Sequence, residues 1–184
     1  MKKSYDYFKT LKEMSLAVCS SYGKMTLNQD FNSEVIKFSG LKWELSDNLL
    51  SDFVAPIERN DIYNLALCLS EELYYVSKLS KLACAYSFSR FNFIESITGV
   101  LRKQATSLYA LRDSKNSKKL FREINEMKAT LNGVNSSIIL LLRNNLNEAE
   151  KNAIDYVVAD CFFDIYKSID HTFSQVQKAI INNN

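Results

Sequence analysis

The residues of this sequence best suited to chemistry are a group of acids in its first half and a single histidine. Asp61, Glu71 and Glu72 lie in one stretch, and His171 follows Asp170 far along the chain. Carboxylate oxygens bind hard cations, and a histidine nitrogen can join them as a ligand. Asp61 and Glu71 are therefore the candidate metal ligands, with Glu72 beside them. A solvated acidic helix face explains the same acids without a metal, and we favour it.

Motifs of the common enzyme classes are absent from the sequence. It contains no nucleophile elbow, no glycine-rich phosphate loop, no zinc motif and no dinucleotide fingerprint. With only four glycines, the chain has few positions where the backbone could approach a phosphate closely. We favour a surface or structural role for His171 over a ligand role, because it lacks obvious partners. We predict that the protein is not an enzyme.

The charge balance gives no reason to expect nucleic acid as a partner. Twenty-three Lys and Arg residues face 21 Asp and Glu residues, for a formal net charge of +2. The densest basic group, between residues 112 and 122, is interpreted as a solvated turn and helix start rather than a surface for an acidic partner or phospholipid. No apolar run approaches the roughly 20 residues that span a bilayer, and no N-terminal signal is recognised. We expect a cytoplasmic protein without a transmembrane segment.

Four cysteines are scattered through the chain at positions 19, 68, 84 and 161. They show no Cys-x-x-Cys spacing and fall in otherwise apolar helix faces. We predict that they are reduced core residues rather than disulfide partners or metal ligands.

Long helices must position all of these residues, because four glycines and one proline are too few for the turns of a sheet protein. Apolar residues recur at three- and four-residue steps, which predicts amphipathic helices. The predicted helices cover residues 5–22, 33–52, 56–86, 91–111, 120–141 and 147–180. Short connections between them predict an all-α, six-helix bundle. We expect one domain over residues 1–184, in two three-helix halves at 1–88 and 89–184.

The stretch from Phe53 to Ile62 resembles a signature of the PhoU-like family, small proteins often found beside Pit-type phosphate transporters. The usual form is Phe-Ile-Thr-Pro-Ile-(Asp/Glu)-Arg-Glu-Asp-Ile, and this chain has Phe-Val-Ala-Pro-Ile-Glu-Arg-Asn-Asp-Ile. Pro56, Glu58, Arg59 and Asp61 are among the matched positions. The segments Leu111-Arg112-Asp113 and Glu123-Ile124-Asn125 also stand where the family has similar residues.

The resemblance implies a fold, a location and a role. The fold is a PhoU-like six-helix bundle of two similar halves. The location is the cytoplasm, at or near the inner face of the membrane. The role is in phosphate uptake or its regulation, with the cytoplasmic side of a phosphate transporter or a signalling protein as partner. Some family members also carry surface metal clusters held by Glu-x-x-x-Asp motifs.

The sequence departs from the family at those metal motifs. Ser70 and Tyr74 stand where acids are usual, and on the fifth helix the motif falls on Lys128 and Asn132. A charged lysine cannot ligate a metal, and an amide replaces a carboxylate poorly. The sixth helix keeps only a thinned set of candidates: Asp164, Asp170 and His171. We therefore predict no cofactor, with a weakly bound divalent or trivalent metal at Asp61 and Glu71 as the alternative.

The start of the third helix differs from the family pattern as well. Ala55 replaces the usual capping threonine, a loss worth on the order of 1 kcal/mol. Pro56 is expected in the first helical turn, where its missing N–H costs nothing. Glu58 should then support the helix start through the macrodipole.

Three functions follow as hypotheses. The first is a non-enzymatic, PhoU-like accessory protein that acts through helical protein contacts. The second is a metal-binding or phosphate-sensing module with a reduced acidic site. The third is a structural helical homodimer. Tyr74 and Tyr75 replace family positions that are usually polar, and they suit either a protein contact or a buried seam.

Overall fold

Over the part of the chain that the structure describes, the protein is a bundle of six α-helices. The computed structural model describes residues 5–51, 55–83, 88, 91–146 and 153–183 of the chain. The helices are α1 Tyr7–Thr26, α2 Asn32–Ser51, α3 Arg59–Ala83, α4 Ile94–Ala110, α5 Ser117–Leu146 and α6 Ala153–Asn182. A short 3-10 turn, Ser114–Asn116, precedes α5, and these described ranges contain no strand. The predicted all-α, six-helix class is confirmed.

The first helix extends beyond its predicted end at residue 22. α1 continues through Gly23 to Thr26, since one glycine inside a helix costs only about 1 kcal/mol. The chain turns at Asn28, whose φ of 53° is left-handed and whose N–H donates to the Met25 carbonyl at 3.0 Å. Asparagine tolerates this conformation better than most residues. At the other end, Asp6 caps α1 by accepting from the Lys9 N–H at 3.0 Å.

The proline lies outside the helix that it was expected to start. Pro56 occupies a bend, and α3 begins three residues later at Arg59. The Glu58 carbonyl accepts the first helical hydrogen bonds, from the N–H groups of Asp61 at 3.0 Å and Ile62 at 3.2 Å. The acid inside the first turn is therefore Asp61, and Glu58 precedes the helix.

One continuous hydrophobic core includes buried residues from all six helices. The most extensive helix contacts pair α1 with α4, and α3 with α6. Both pairs join the first half of the chain to the second, so the two sets of three helices interlock. The division into halves at residue 88 stays a prediction. α2 packs chiefly on α1 and touches α3 little, which places it at the edge of the bundle.

A cluster of phenylalanines joins α6 to the segment before α4. The Phe162 ring makes edge-on contacts with Phe88, Phe91 and Phe93, at centroid distances of 5.6, 5.6 and 5.0 Å. All four side chains are buried. Edge-to-face packing of this kind adds to the stabilisation gained from burial alone.

Three of the four cysteines lie in the buried core of the bundle. Cys19, Cys68 and Cys161 are free and buried, as predicted, while Cys84 lies outside the described residues. Over the described part of the chain, none of the helices combines the length and apolar character that crossing a bilayer requires.

Candidate functional site

The two predicted metal ligands are far apart. Asp61 lies in the first turn of α3 and Glu71 ten residues later, about 15 Å along the helix axis. Asp61 is buried, while Glu71 is partly exposed and faces His171. The structure therefore does not form the Asp61–Glu71 pair. Across the described ranges, no three His, Cys, Asp or Glu side chains are grouped so that they could hold a metal ion.

Asp61 instead ties the start of α3 to the end of α6. Its carboxylate accepts from Asn182 Nδ2 at 3.3 and 3.4 Å and from Asn183 Nδ2 at 3.2 Å. The Glu58 N–H donates to Asn183 Oδ1 at 3.2 Å. Arg59, at the first position of α3, is exposed. Of the signature residues, Asp61 and Glu58 thus have visible structural roles.

Two segments that carry the family resemblance meet at this end of the bundle. A cavity of about 230 Å³ is lined by Pro56 and Ile57 together with Leu111, Arg112 and Asp113. Asp113 is occupied by its own turn, because it accepts from the Lys115 N–H at 3.1 Å and from Asn116 Nδ2 at 2.6 Å. The shared location favours a role for both segments in closing the bundle end.

Substituting Asp61 with alanine tests that structural role. We expect the free energy of unfolding to fall by about 1–3 kcal/mol, because the amide donors of Asn182 and Asn183 lose a buried acceptor. Chemical denaturation measures the change. The control is Glu126→Ala, which removes an exposed carboxylate and should change stability by less than about 0.5 kcal/mol. Equal effects of the two substitutions would contradict the role assigned to Asp61.

The two candidate acids of α6, Asp164 and Asp170, each pair with a lysine. Lys78 Nζ lies 2.9 Å from Asp164 Oδ2, and Lys128 Nζ lies 3.3 Å from Asp170 Oδ1. Lys128 also donates to Ser174 Oγ at 2.8 Å. An ammonium group therefore stands beside each carboxylate that the resemblance had suggested as a remnant of a metal cluster. These partly exposed pairs contribute little stability, but they neutralise the charge that would attract a cation.

Glu72 is buried, which corrects the expectation of a solvated acidic face. Its side chain is only 1% exposed, inside the core between α3, α4 and α6. Gln104 Nε2 donates to both carboxyl oxygens at 2.9 Å, and the Thr172 hydroxyl donates to Oε1. Removal from water raises the pKa of Glu72 to about 8, although the hydrogen bonds from Thr172 and Gln104 oppose the shift. At neutral pH this carboxyl is therefore mainly protonated.

The spacing of apolar residues in α3 contains a signal for the burial of Glu72. The apolar stripe of α3 advances by alternating steps of three and four residues. Counting steps of three and four residues in strict alternation from Ile62 leads to position 72, so the strict pattern includes Glu72 rather than Leu73. Because Leu73 is apolar, the pattern of apolar residues alone includes Leu73 in the stripe and leaves Glu72 at the surface.

An exposed apolar stripe follows the outer side of α3. Tyr63, Leu67 and Tyr74 are spaced four and seven residues apart and are 47%, 40% and 63% exposed. We call these three residues, with Glu71 and the adjoining His171 and Gln175 of α6, the α3 outer face. A groove of about 360 Å³ runs along its edge, lined by Asn64, Leu67, Cys68, Glu71, His171 and Gln175. Tyr74 is thus at the surface, while Tyr75 is half-buried with its ring 5.3 Å from that of Tyr74.

Polar groups at the edge of this face do not have the arrangement of a nucleophilic catalytic relay. His171 Nδ1 lies 3.5 Å from Glu71 Oε2 and 3.8 Å from Cys68 Sγ. A catalytic relay needs the nucleophile and the acid on different ring nitrogens, but here both face Nδ1. Burial and the nearby carboxylates of Glu72 and Glu71 raise the pKa of the Cys68 thiol to about 12, which keeps it protonated. The other nitrogen, Nε2, contacts Gln175 Nε2 at 3.2 Å.

Comparisons with known proteins add no family assignment. No protein-family model matches the chain, and no curated protein matches it.

Proposed function

We propose that this chain is a non-enzymatic, PhoU-like accessory protein that binds the cytoplasmic side of a Pit-type phosphate transporter. The observation that carries the proposal is the α3 outer face. Its tyrosines and leucine are exposed at helical spacing on a helix whose opposite side packs in the core. The partner is suggested by the resemblance of the Pro56 segment to the PhoU-like signature.

The composition of the α3 outer face suits a protein partner. Tyrosine is enriched at the centres of protein interfaces because it offers a large contact area and one polar group. Tyr63, Leu67 and Tyr74 would form such a centre, and Glu71, His171 and Gln175 would form a polar rim. Because the stripe lies on a single helix, the backbone positions of its three residues are fixed relative to one another before binding, which lowers the entropic cost of association.

Regulation of a transporter by such a contact requires selectivity between transporter states. A bound protein shifts a conformational equilibrium only by the difference in its affinity for the two states. A tenfold preference for one state corresponds to about 1.4 kcal/mol and shifts the ratio of the states tenfold. The chain can therefore regulate uptake without performing a reaction itself.

The metal-binding or phosphate-sensing alternative has weaker support. Asp61 is engaged by Asn182 and Asn183, and Glu71 has His171 as its close polar neighbour. A metal site at the α3 outer face would need further ligands from a partner molecule. We therefore propose a protein without a resident cofactor.

Copurification with the transporter tests the proposal. The tagged chain is coexpressed with the Pit-type transporter of the same genome, solubilised in mild detergent and captured. We expect the transporter to copurify with the unmodified chain. The double variant Leu67→Asp/Tyr74→Asp should capture at least about tenfold less transporter, because it places two charges at the apolar centre of the proposed interface.

The matched control for this experiment is Leu140→Asp. Leu140 is an exposed leucine, 59% accessible, on α5. It should capture as much transporter as the unmodified chain. If the double variant and the control capture equal amounts, the α3 outer face is not the contact. If the unmodified chain captures no transporter, the proposed partner is wrong.

A further inference from the structure

The outer side of α2 carries a second uncovered apolar surface. Ile36, Trp43 and Leu50 are 73%, 75% and 86% exposed. The opposite side of the same helix is buried against the bundle through Phe38, Leu45 and Leu49. α2 therefore has two apolar faces, of which the bundle covers one.

The exposed residues follow a heptad. Ile36, Trp43 and Leu50 are seven residues apart and take the a positions, which places Ser39 and Ser46 at d. In this frame Lys42 is at g and Asp47 is at e. A groove of about 360 Å³ runs along this side of α2 and is lined by Ser39, Lys42, Trp43, Ser46, Asp47 and Leu50.

The charged residues beside the groove are available for an external partner. The side chains of Lys42 and Asp47 make no hydrogen bond or ion pair with any residue that the structure describes. They lie on opposite flanks of the exposed stripe, about 140° apart around the helix at 100° per residue. A partner helix would have to present an acid on one flank and a base on the other.

We propose that a second copy of this chain binds here, so that two α2 helices pair in parallel about a twofold axis. In a parallel pair the g residue of one helix faces the e′ residue five positions further along the other. Lys42 and Asp47 are five positions apart, so each Lys42 meets the Asp47 of the other copy. An antiparallel pair brings g to g′ and e to e′, and neither residue then meets an opposite charge.

The contact is expected to be weak. α2 has 20 residues and is about 30 Å long, so one helix pair buries an area at the low end of specific interfaces. Serine at the d positions also contributes less apolar burial than leucine would. We expect a dissociation constant in the micromolar range, of about 10–100 µM. The dimer would form whether or not the chain binds a transporter, because the α3 outer face lies on another helix.

Trp43 provides a direct measurement, because it is the only tryptophan in the chain. We expect sedimentation velocity to show a monomer–dimer equilibrium, and the tryptophan emission to shift to shorter wavelength over the same concentrations. Trp43→Lys should remain helical by circular dichroism and stay monomeric. The control Leu140→Lys, at an exposed leucine of α5, should dimerise as the unmodified chain does.

A charge exchange tests the parallel register. Lys42→Asp should weaken dimerisation about three- to tenfold, because two ion pairs become two repulsive pairs. Adding Asp47→Lys to the same chain should restore it. The proposal is overturned if the unmodified chain stays monomeric at about tenfold above the expected dissociation constant. It is also overturned if Trp43→Lys dimerises normally, or if the double charge exchange restores nothing.

Discussion

Replacing Phe162 with alanine is expected to lower the free energy of unfolding by about 3–5 kcal/mol. The Phe162 ring is completely buried and contacts the rings of Phe88, Phe91 and Phe93. Its removal leaves a cavity where α6 meets the segment before α4, and three aromatic partners lose their shared neighbour. Urea denaturation followed by circular dichroism measures the loss.

The next residue offers a matched control for that substitution. Phe163 is only partly buried, and its ring stacks on Tyr166 at 5.8 Å with Lys167 Nζ 4.1 Å away. Phe163→Ala should cost less than about half as much, because the Phe163 side chain is partly exposed and lies outside the cluster of fully buried rings. A Phe162→Ala loss no larger than that of Phe163→Ala would show that the aromatic cluster does not hold α6 to the bundle.

Replacing Glu72 with glutamine is expected to stabilise the protein at pH 8 and above, by on the order of 3–5 kcal/mol. The pKa of Glu72 is about 8 in the folded chain against an ordinary value of 4.5. Between these two pH values the folded state holds a proton that the unfolded state has released. The stability that this proton provides is fully present below pH 4.5. It declines as the pH rises and is lost above about pH 8. Glutamine keeps the shape of the neutral side chain and does not titrate.

The hydrogen bonds around Glu72 also accommodate glutamine. As assigned, Gln104 Oε1 is buried and has no hydrogen-bond partner among the residues that the structure describes. A glutamine at position 72 can accept from Thr172 and donate to Gln104 once the Gln104 amide rotates. The two side chains would then pair reciprocally, as a protonated carboxyl and an amide do.

Unfolding curves at pH 5, 7 and 9 test the role of Glu72. The stability difference between Glu72→Gln and the unmodified chain should grow with pH, and it should be small at pH 5. Glu126→Gln, which neutralises an exposed carboxylate, should show no comparable dependence. If this stability difference is the same at all three pH values, Glu72 is not a buried acid whose protonation affects the stability of the fold.

The helices could be predicted from the sequence because their apolar periodicity is a local property. Errors occurred where a local rule had an exception. Gly23 is tolerated inside α1, and Pro56 lies in a bend before α3 rather than in its first turn. Glu72 was misplaced because a polar residue in a buried stripe violates the pattern from which burial was predicted.

The site itself depended on contacts between helices, which periodicity does not define. The pairing of Lys128 with Asp170, and of Asp61 with Asn182 and Asn183, joins residues that are distant in sequence. Their relative register is set by the packing of α3, α5 and α6. For the same reason the sequence offered Tyr74 either a surface or a buried seam, and only the packed structure places it at the surface.

Crosslinking in cells tests the central proposal most directly. A photoreactive amino acid is placed at position 74, on the α3 outer face, and as a control at position 140 on α5. The proposal predicts that irradiation links the chain to the phosphate transporter from position 74 and not from position 140. Absence of a transporter adduct at position 74, or an equal yield from both positions, would contradict it.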